Sequence, residues 1–154
     1  MLDALLALSL VSVSVWGVQQ LLAHRVQQAQ QQRHRASAMA LLDDLGQRIR
    51  IHATRFGYAS ALQLFERPLQ PIPTAASHAW DSCRTTSCNA NAFANWVLAT
   101  WTASAHNTLP AAQLGIAVQG QRLRLLLAWP QVGRGSYKWQ AICPAQYDCE
   151  VLWL

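Results

Sequence analysis

Residues 1–22 read MLDALLALSLVSVSVWGVQQLL, an apolar run broken near its start by one carboxylate, Asp3. So long an apolar stretch has to leave water, and the question is how. A cleaved secretory signal wants a basic n-region, an apolar stretch of about 7–15 residues and a small-residue cleavage site. Here Asp3 stands where Lys or Arg should, and the continuation QQLLAHRVQQAQQQRHR offers no such site. A transmembrane helix fits better: from Met1 to Ala23, at about 1.5 Å per residue, the segment spans roughly 34 Å, enough to cross a bilayer core. Arg25, Arg33 and Arg35 follow the span, and the positive-inside rule would keep them in the cytoplasm. The cysteines ask for the opposite side. The conflict disappears if a basic leader stood ahead of residue 1 and was removed, which is the expectation here.

Four cysteines form two short pairs, Cys83/Cys88 and Cys143/Cys149. Zinc sites prefer about two to four residues between paired cysteines, with closing ligands at defined distances; here the gaps are four and five, the pairs are unalike and no His follows at ligand spacing. Disulfides are the favoured reading. Of the three pairings that four cysteines allow, the two local ones are preferred, each closing a small loop worth about 2 kcal/mol. They imply an oxidising compartment. The 154 residues, 52% hydrophobic, suit one domain plus one extra segment. The net charge of +5 is thinly spread, because only 12% of residues are charged and the arginines gather between Arg25 and Arg55. Most of the seven Trp residues are expected to pack a core poor in other aromatics.

From Gln19 to Phe56 there is no proline, and Leu42, Leu45, Ile49, Ala53 and Phe56 recur at three and four residues. This predicts one helix over about 2–54, with an apolar half at 1–25 and an amphipathic half at 26–56 that packs on a head at 57–154. Arg48, Arg50 and Arg55 lie off the stripe and read as a solvated helix face. Residues 57–82, with three prolines between 68 and 73, read as a loop with a short piece near Ala59–Phe65. Asn89 or Asn91 can cap a short helix whose Phe93, Trp96, Val97, Thr100 and Trp101 share a face, ended by Leu109-Pro110. The period then changes to two. LGIAVQ (114–119), a Gly120-Gln121 turn and RLRLLLAW (122–129) read as a hairpin, with Leu123, Leu125 and Leu127 on one face and Arg122 and Arg124 opposite. SYKWQAIC (136–143) and CEVLWL (149–154) read as a second hairpin closed by Cys143 and Cys149. Four short antiparallel strands behind a long helix give an α+β fold, the helix spine lying on one sheet face.

The stretch from Leu2 to about Arg50 resembles the N-terminal helix of type IV pilins, in which a basic leader is cut off, an acid sits near the new N-terminus and an apolar run follows. Family members usually read F-T-L-[LI]-E at the mature start. In this sequence Asp3 takes the place of that acid, ALLALSLVSVSVWG follows, and Gly17 falls where a family glycine often lies. The acid is Asp rather than Glu, and the residues ahead of it are fewer. Cys83, Cys88, Ala94, Trp101, Leu109-Pro110 and Trp129, in that order behind such a helix, resemble the minor pilins called type IV pilus modification proteins (PilV-like). The resemblance implies a long-helix spine on a small four-stranded head. It also implies a subunit of a pilus tip or priming complex, with other minor pilins, the major pilin and the inner-membrane assembly machinery as partners and the bilayer as host before assembly. Met1, Asp3, Leu5, Leu6 and Gly17 would make the subunit contacts, with Asp3 paired to a neighbour's N-terminal amine and the processed N-terminus methylated. The head would lie in the periplasm and, after assembly, on a pilus at the cell surface. Read without the family, Asp3 caps a helix and favours its positive dipole end.

Chemistry is sparse. The five His residues (24, 34, 52, 78, 106) are scattered, there is no G-x-S-x-G and no phosphate-binding Gly loop, and seven acids offer no acid–base pair. The chain is therefore read as a non-enzyme without metal or cofactor. Two rivals stay open: a type II secretion pseudopilin, and a DNA-binding pilin for uptake with Arg122 and Arg124 facing the partner, the latter the weaker of the two.

Overall fold

A computed structural model of the chain describes residues 2–73, 83, 87–131 and 142–154; the side chains of residues 2–15 and of Val18 lie outside that description. Helix α1 runs unbroken from Leu2 to Phe56. Gly57, whose φ of 91° suits a residue without a Cβ, ends it and leads into α2, Tyr58–Phe65. Strand β1 (Arg67–Pro71), helix α3 (Ala90–Thr108) and strands β2 (Gln113–Gln119), β3 (Arg122–Pro130) and β4 (Tyr147–Trp153) complete the element order. The chain divides into two compact units, Met1–His34 and Arg35–Leu154.

Within the second unit one face of a four-stranded antiparallel sheet, ordered β1-β2-β3-β4, receives the helices. The stripe read at helical spacing is the buried one: Leu42, Leu45 and Ile49 join Ala38 and Leu41 in the core, and Ala53 packs against its edge. The sheet contributes Leu114, Ile116, Leu123, Leu125, Leu127 and Trp129 from its alternate positions. Burying each such Leu or Ile stabilises the fold by about 1.5–3 kcal/mol relative to leaving it in water. Helix α3 is longer than the short helix expected. Asn89 caps it, its side chain accepting from Ala92 N at 2.8 Å. The buried face of α3 is Ala94, Val97, Leu98, Trp101 and Ala105, while Phe93 and Trp96 only flank it. Trp101 is fully buried and donates its Nε1–H to the carbonyl of Leu41 at 2.9 Å, tying α3 to α1.

Two expectations need correction. Residues 67–71, expected as loop, form strand β1; proline is tolerated there because β1 is an edge strand that pairs only with β2. In the region expected as a second hairpin, the last strand starts earlier than expected. β4 pairs with β3, Arg124 opposite Trp153 and Ala128 opposite Cys149, and Tyr147 and Asp148 belong to the strand rather than to a loop. Ile142 and Cys143 lie in a turn and a bend, and residues 136–141 of the expected strand fall outside the described residues. The first hairpin is as read, with Gly120 at φ 63° in its turn. Of the tryptophans, Trp101 and Trp129 are buried, Trp96 is partly so, and Trp16 and Trp153 are exposed; Trp80 and Trp139 lie outside the described residues.

Gly46, the one helix-weakening residue in the amphipathic half, has a steric reason. A Cβ there would come within 3.1 Å of methyl groups of both Leu152 and Leu154. The absent side chain lets α1 approach the end of β4 closely.

Candidate functional site

The first unit presents apolar side chains to solvent. Trp16 is 69% exposed, and Leu21, Leu22 and Val26 are exposed as well. Leu22 and Val26 are four residues apart and share a face. At Gly17 a Cβ would meet nothing within 4 Å among the described residues. Asp3, Leu5 and Leu6 lie in the helical run with side chains outside the described residues, and Met1 lies outside them entirely. Among the described residues no helix is long and apolar enough to cross a membrane.

The four sulfurs are paired as the local spacing predicts, Cys83 with Cys88 and Cys143 with Cys149, with Cα–Cα separations of 5.3 and 6.0 Å. Cys88 immediately precedes the cap residue Asn89, so the first bridge fixes the chain as it enters α3. The second joins the bend at Cys143 to β4. Cys149 is buried with Leu126 and Ala128 on the sheet face away from the helices, flanked by Leu69, Tyr147 and Val151. That face is therefore apolar at one end. At the other end it carries Arg122, which is exposed, and Arg124, whose guanidinium lies 6.0 Å from the Trp153 ring centroid. The two arginines share a face, as their alternation predicts. Their companionship with Trp153 has no local signal, because nothing within β4 discloses which strand it joins.

The arginines of α1 have separate roles. Arg48 is half-buried, donating to Asp44 at 3.0 Å and to the Thr100 hydroxyl at 3.1 Å. Arg55 lies over the rings of Phe56 and Phe93 at 5.3 and 5.8 Å. Arg50 is exposed and lines a groove of about 550 Å³ together with Ile49, Ala53, Tyr58, Trp153 and Leu154. Arg67 donates from Nε to the Phe65 carbonyl at 3.4 Å, and burial lowers its pKa below the ordinary arginine value.

His52 is a buried polar group at the spacing of the apolar stripe. It sits on the stripe side of α1, wholly buried, with Phe56, Phe65 and Phe93 ring centroids at 5.0, 5.1 and 5.9 Å. Its Nε2–H donates to the Ala90 carbonyl at 3.0 Å, and its Nδ1 has no hydrogen-bond partner among the described residues. A single histidine enclosed by three rings is a packing residue that anchors the start of α3. Among the described residues no group of three or more His, Cys, Asp or Glu side chains gathers where a metal could be held. No family model, curated protein or solved structure matches the chain.

Proposed function

We propose that the chain is a minor pilin, a structural subunit that joins the tip or priming complex of a type IV pilus through α1. The observation that carries this reading is the unbroken helix from Leu2 to Phe56, whose later turns bury Leu42, Leu45 and Ile49 in the head while its earlier turns leave Trp16, Leu21, Leu22 and Val26 uncovered. Side chains of that kind need another surface, either lipid or a neighbouring helix. On this reading the subunit waits in the inner membrane as a single-pass protein with its head in the periplasm, where the two disulfides form. Assembly then exchanges lipid contacts for helix contacts with other minor pilins and the major pilin.

Asp3 gives that exchange its register. A carboxylate at the end of a membrane helix is less costly than at the centre, where insertion scales assign about 2.5–3.5 kcal/mol. Inside a bundle it needs a cation, since breaking a buried pair costs about 3–5 kcal/mol. The N-terminal amine of an adjacent subunit supplies one. The role is assembly rather than catalysis, with no cofactor. Replacing Asp3 with Ala in the producing cell and counting surface pili tests the reading. Loss of pili, with the chain still present in the membrane fraction, is expected; wild-type piliation would remove the role assigned to Asp3.

A further inference from the structure

We propose that His52 is an acid-sensitive latch: a proton added to its ring weakens the joint between α1 and the start of α3. The imidazole is wholly buried, and a ring from each of three helices encloses it, Phe56 on α1, Phe65 on α2 and Phe93 on α3. Its Nε2–H donates at 3.0 Å to the carbonyl of Ala90, the first residue of α3, and its Nδ1 has no partner among the described residues. The neutral ring suits this arrangement, with its one hydrogen on Nε2 and only a lone pair on Nδ1. A second proton makes Nδ1 a charged donor, and no acceptor faces it. A buried charged donor left unpaired is costlier than a buried lone pair.

The charges around the ring offer the imidazolium no relief. α2 and α3 contain no Asp or Glu, and His106 stands at the far end of α3. On α1 the charged side chains about one turn away, Arg48 and Arg55, are both cations. Arg48 is engaged with Asp44 and the Thr100 hydroxyl. Arg55 lies 5.3 and 5.8 Å over Phe56 and Phe93, two of the rings that enclose the histidine. A protonated His52 would therefore be a buried cation close to another cation, with one carbonyl to hold it.

Opening the joint puts the same ring in water, where a histidine takes the proton below about pH 6.5. The open state then binds a proton that the closed joint does not accommodate, so acid favours opening. The contribution of His52 to stability is whole above that pH and is lost as the pH falls below it. The first effect is local. The bond to Ala90 holds the entry to α3, beside the Asn89 cap and Cys88, whereas Trp101 ties a later turn to the Leu41 carbonyl through a group that does not titrate. Acid thus frees the first turns of α3 before the rest of the helix. The latch does not depend on the filament role, and loss of pili in D3A leaves it unaffected.

The test uses the full-length chain in detergent micelles, compared at about pH 7 and about pH 5. Urea unfolding should show the folded-to-unfolded ratio of the wild type falling about tenfold more over that range than the ratio of His52→Gln. Glutamine keeps an amide donor for the Ala90 carbonyl and carries no titrating group; His52→Phe gives a second non-titrating chain. Amide exchange in the wild type decides the matter even if both variants fail to fold. Protection of Ala92 and Phe93, corrected for the intrinsic pH effect, should fall about tenfold, while that of Ala105 changes less than about twofold. Any one of three results overturns the proposal: wild type and the folded variants losing stability in parallel; protection of Ala92 and Phe93 unchanged by acid; or NMR of the ring showing His52 protonated at about pH 6.5 with the start of α3 still protected.

Discussion

Gly46 allows a sharp test of how α1 is seated. An alanine there would place its Cβ 3.1 Å from the Cδ2 atoms of both Leu152 and Leu154. Those methyls end flexible side chains and can retreat by a few tenths of an ångström, at a cost that opposes the gain of about 1 kcal/mol from replacing a helical glycine. Gly46→Ala is therefore expected within about 1 kcal/mol of wild type. Gly46→Leu adds further carbons in the same space and cannot be accommodated by side-chain retreat alone, so a loss of about 2–3 kcal/mol is expected. The origin of that loss can be isolated by a double-mutant cycle. With Leu152→Ala in the background, Gly46→Ala should be about 1 kcal/mol more favourable than in the wild-type chain, because one of its two obstructing methyls is gone. Urea unfolding of the full chain in a mild detergent, followed by tryptophan fluorescence, reads these differences as shifts of the midpoint at constant slope. If Gly46→Leu unfolds at the wild-type midpoint, α1 does not rest on the end of β4 and the close approach assigned to Gly46 is wrong.

Trp101→Phe removes both the indole volume and the 2.9 Å bond to the Leu41 carbonyl from a fully buried position, and a loss of about 2 kcal/mol is expected in the same unfolding assay. Asn89→Ala should cost about 1 kcal/mol and speed amide exchange in the first turn of α3, with Asn89→Asp restoring most of both.

The parts of the fold legible in the sequence are those set by neighbours close in the chain. Three-and-four spacing marks Leu42, Leu45 and Ile49 whatever they pack on, and alternation with a Gly120 turn marks β2 and β3. Both disulfides join cysteines only a few residues apart, so these too are local. What is not legible depends on distant partners. β4 reads as a strand, but its choice of β3 rests on cross-strand neighbours such as Leu126 and Val151 that no short window contains. β1 is obscured by its prolines, whose local signal is for a loop until β2 supplies a pairing edge. For the candidate site, the shared face of Arg122 and Arg124 follows from alternation, whereas Trp153 and the groove beside Arg50 exist only once β4 and α1 have been brought together. The surroundings of His52 are hidden for a similar reason: its carbonyl partner, Ala90, and the Phe65 and Phe93 rings come from α2 and α3.

The composition of β1 has a consequence for chains that gather at high local density. An open sheet border is a template on which a foreign strand can lay itself down, leading to amyloid-like fusion. β1 occupies such a border, and two of its five residues, Pro68 and Pro71, carry no amide hydrogen to offer. Copies of this chain can therefore crowd together with fewer amide donors along that rim for a foreign strand to pair with.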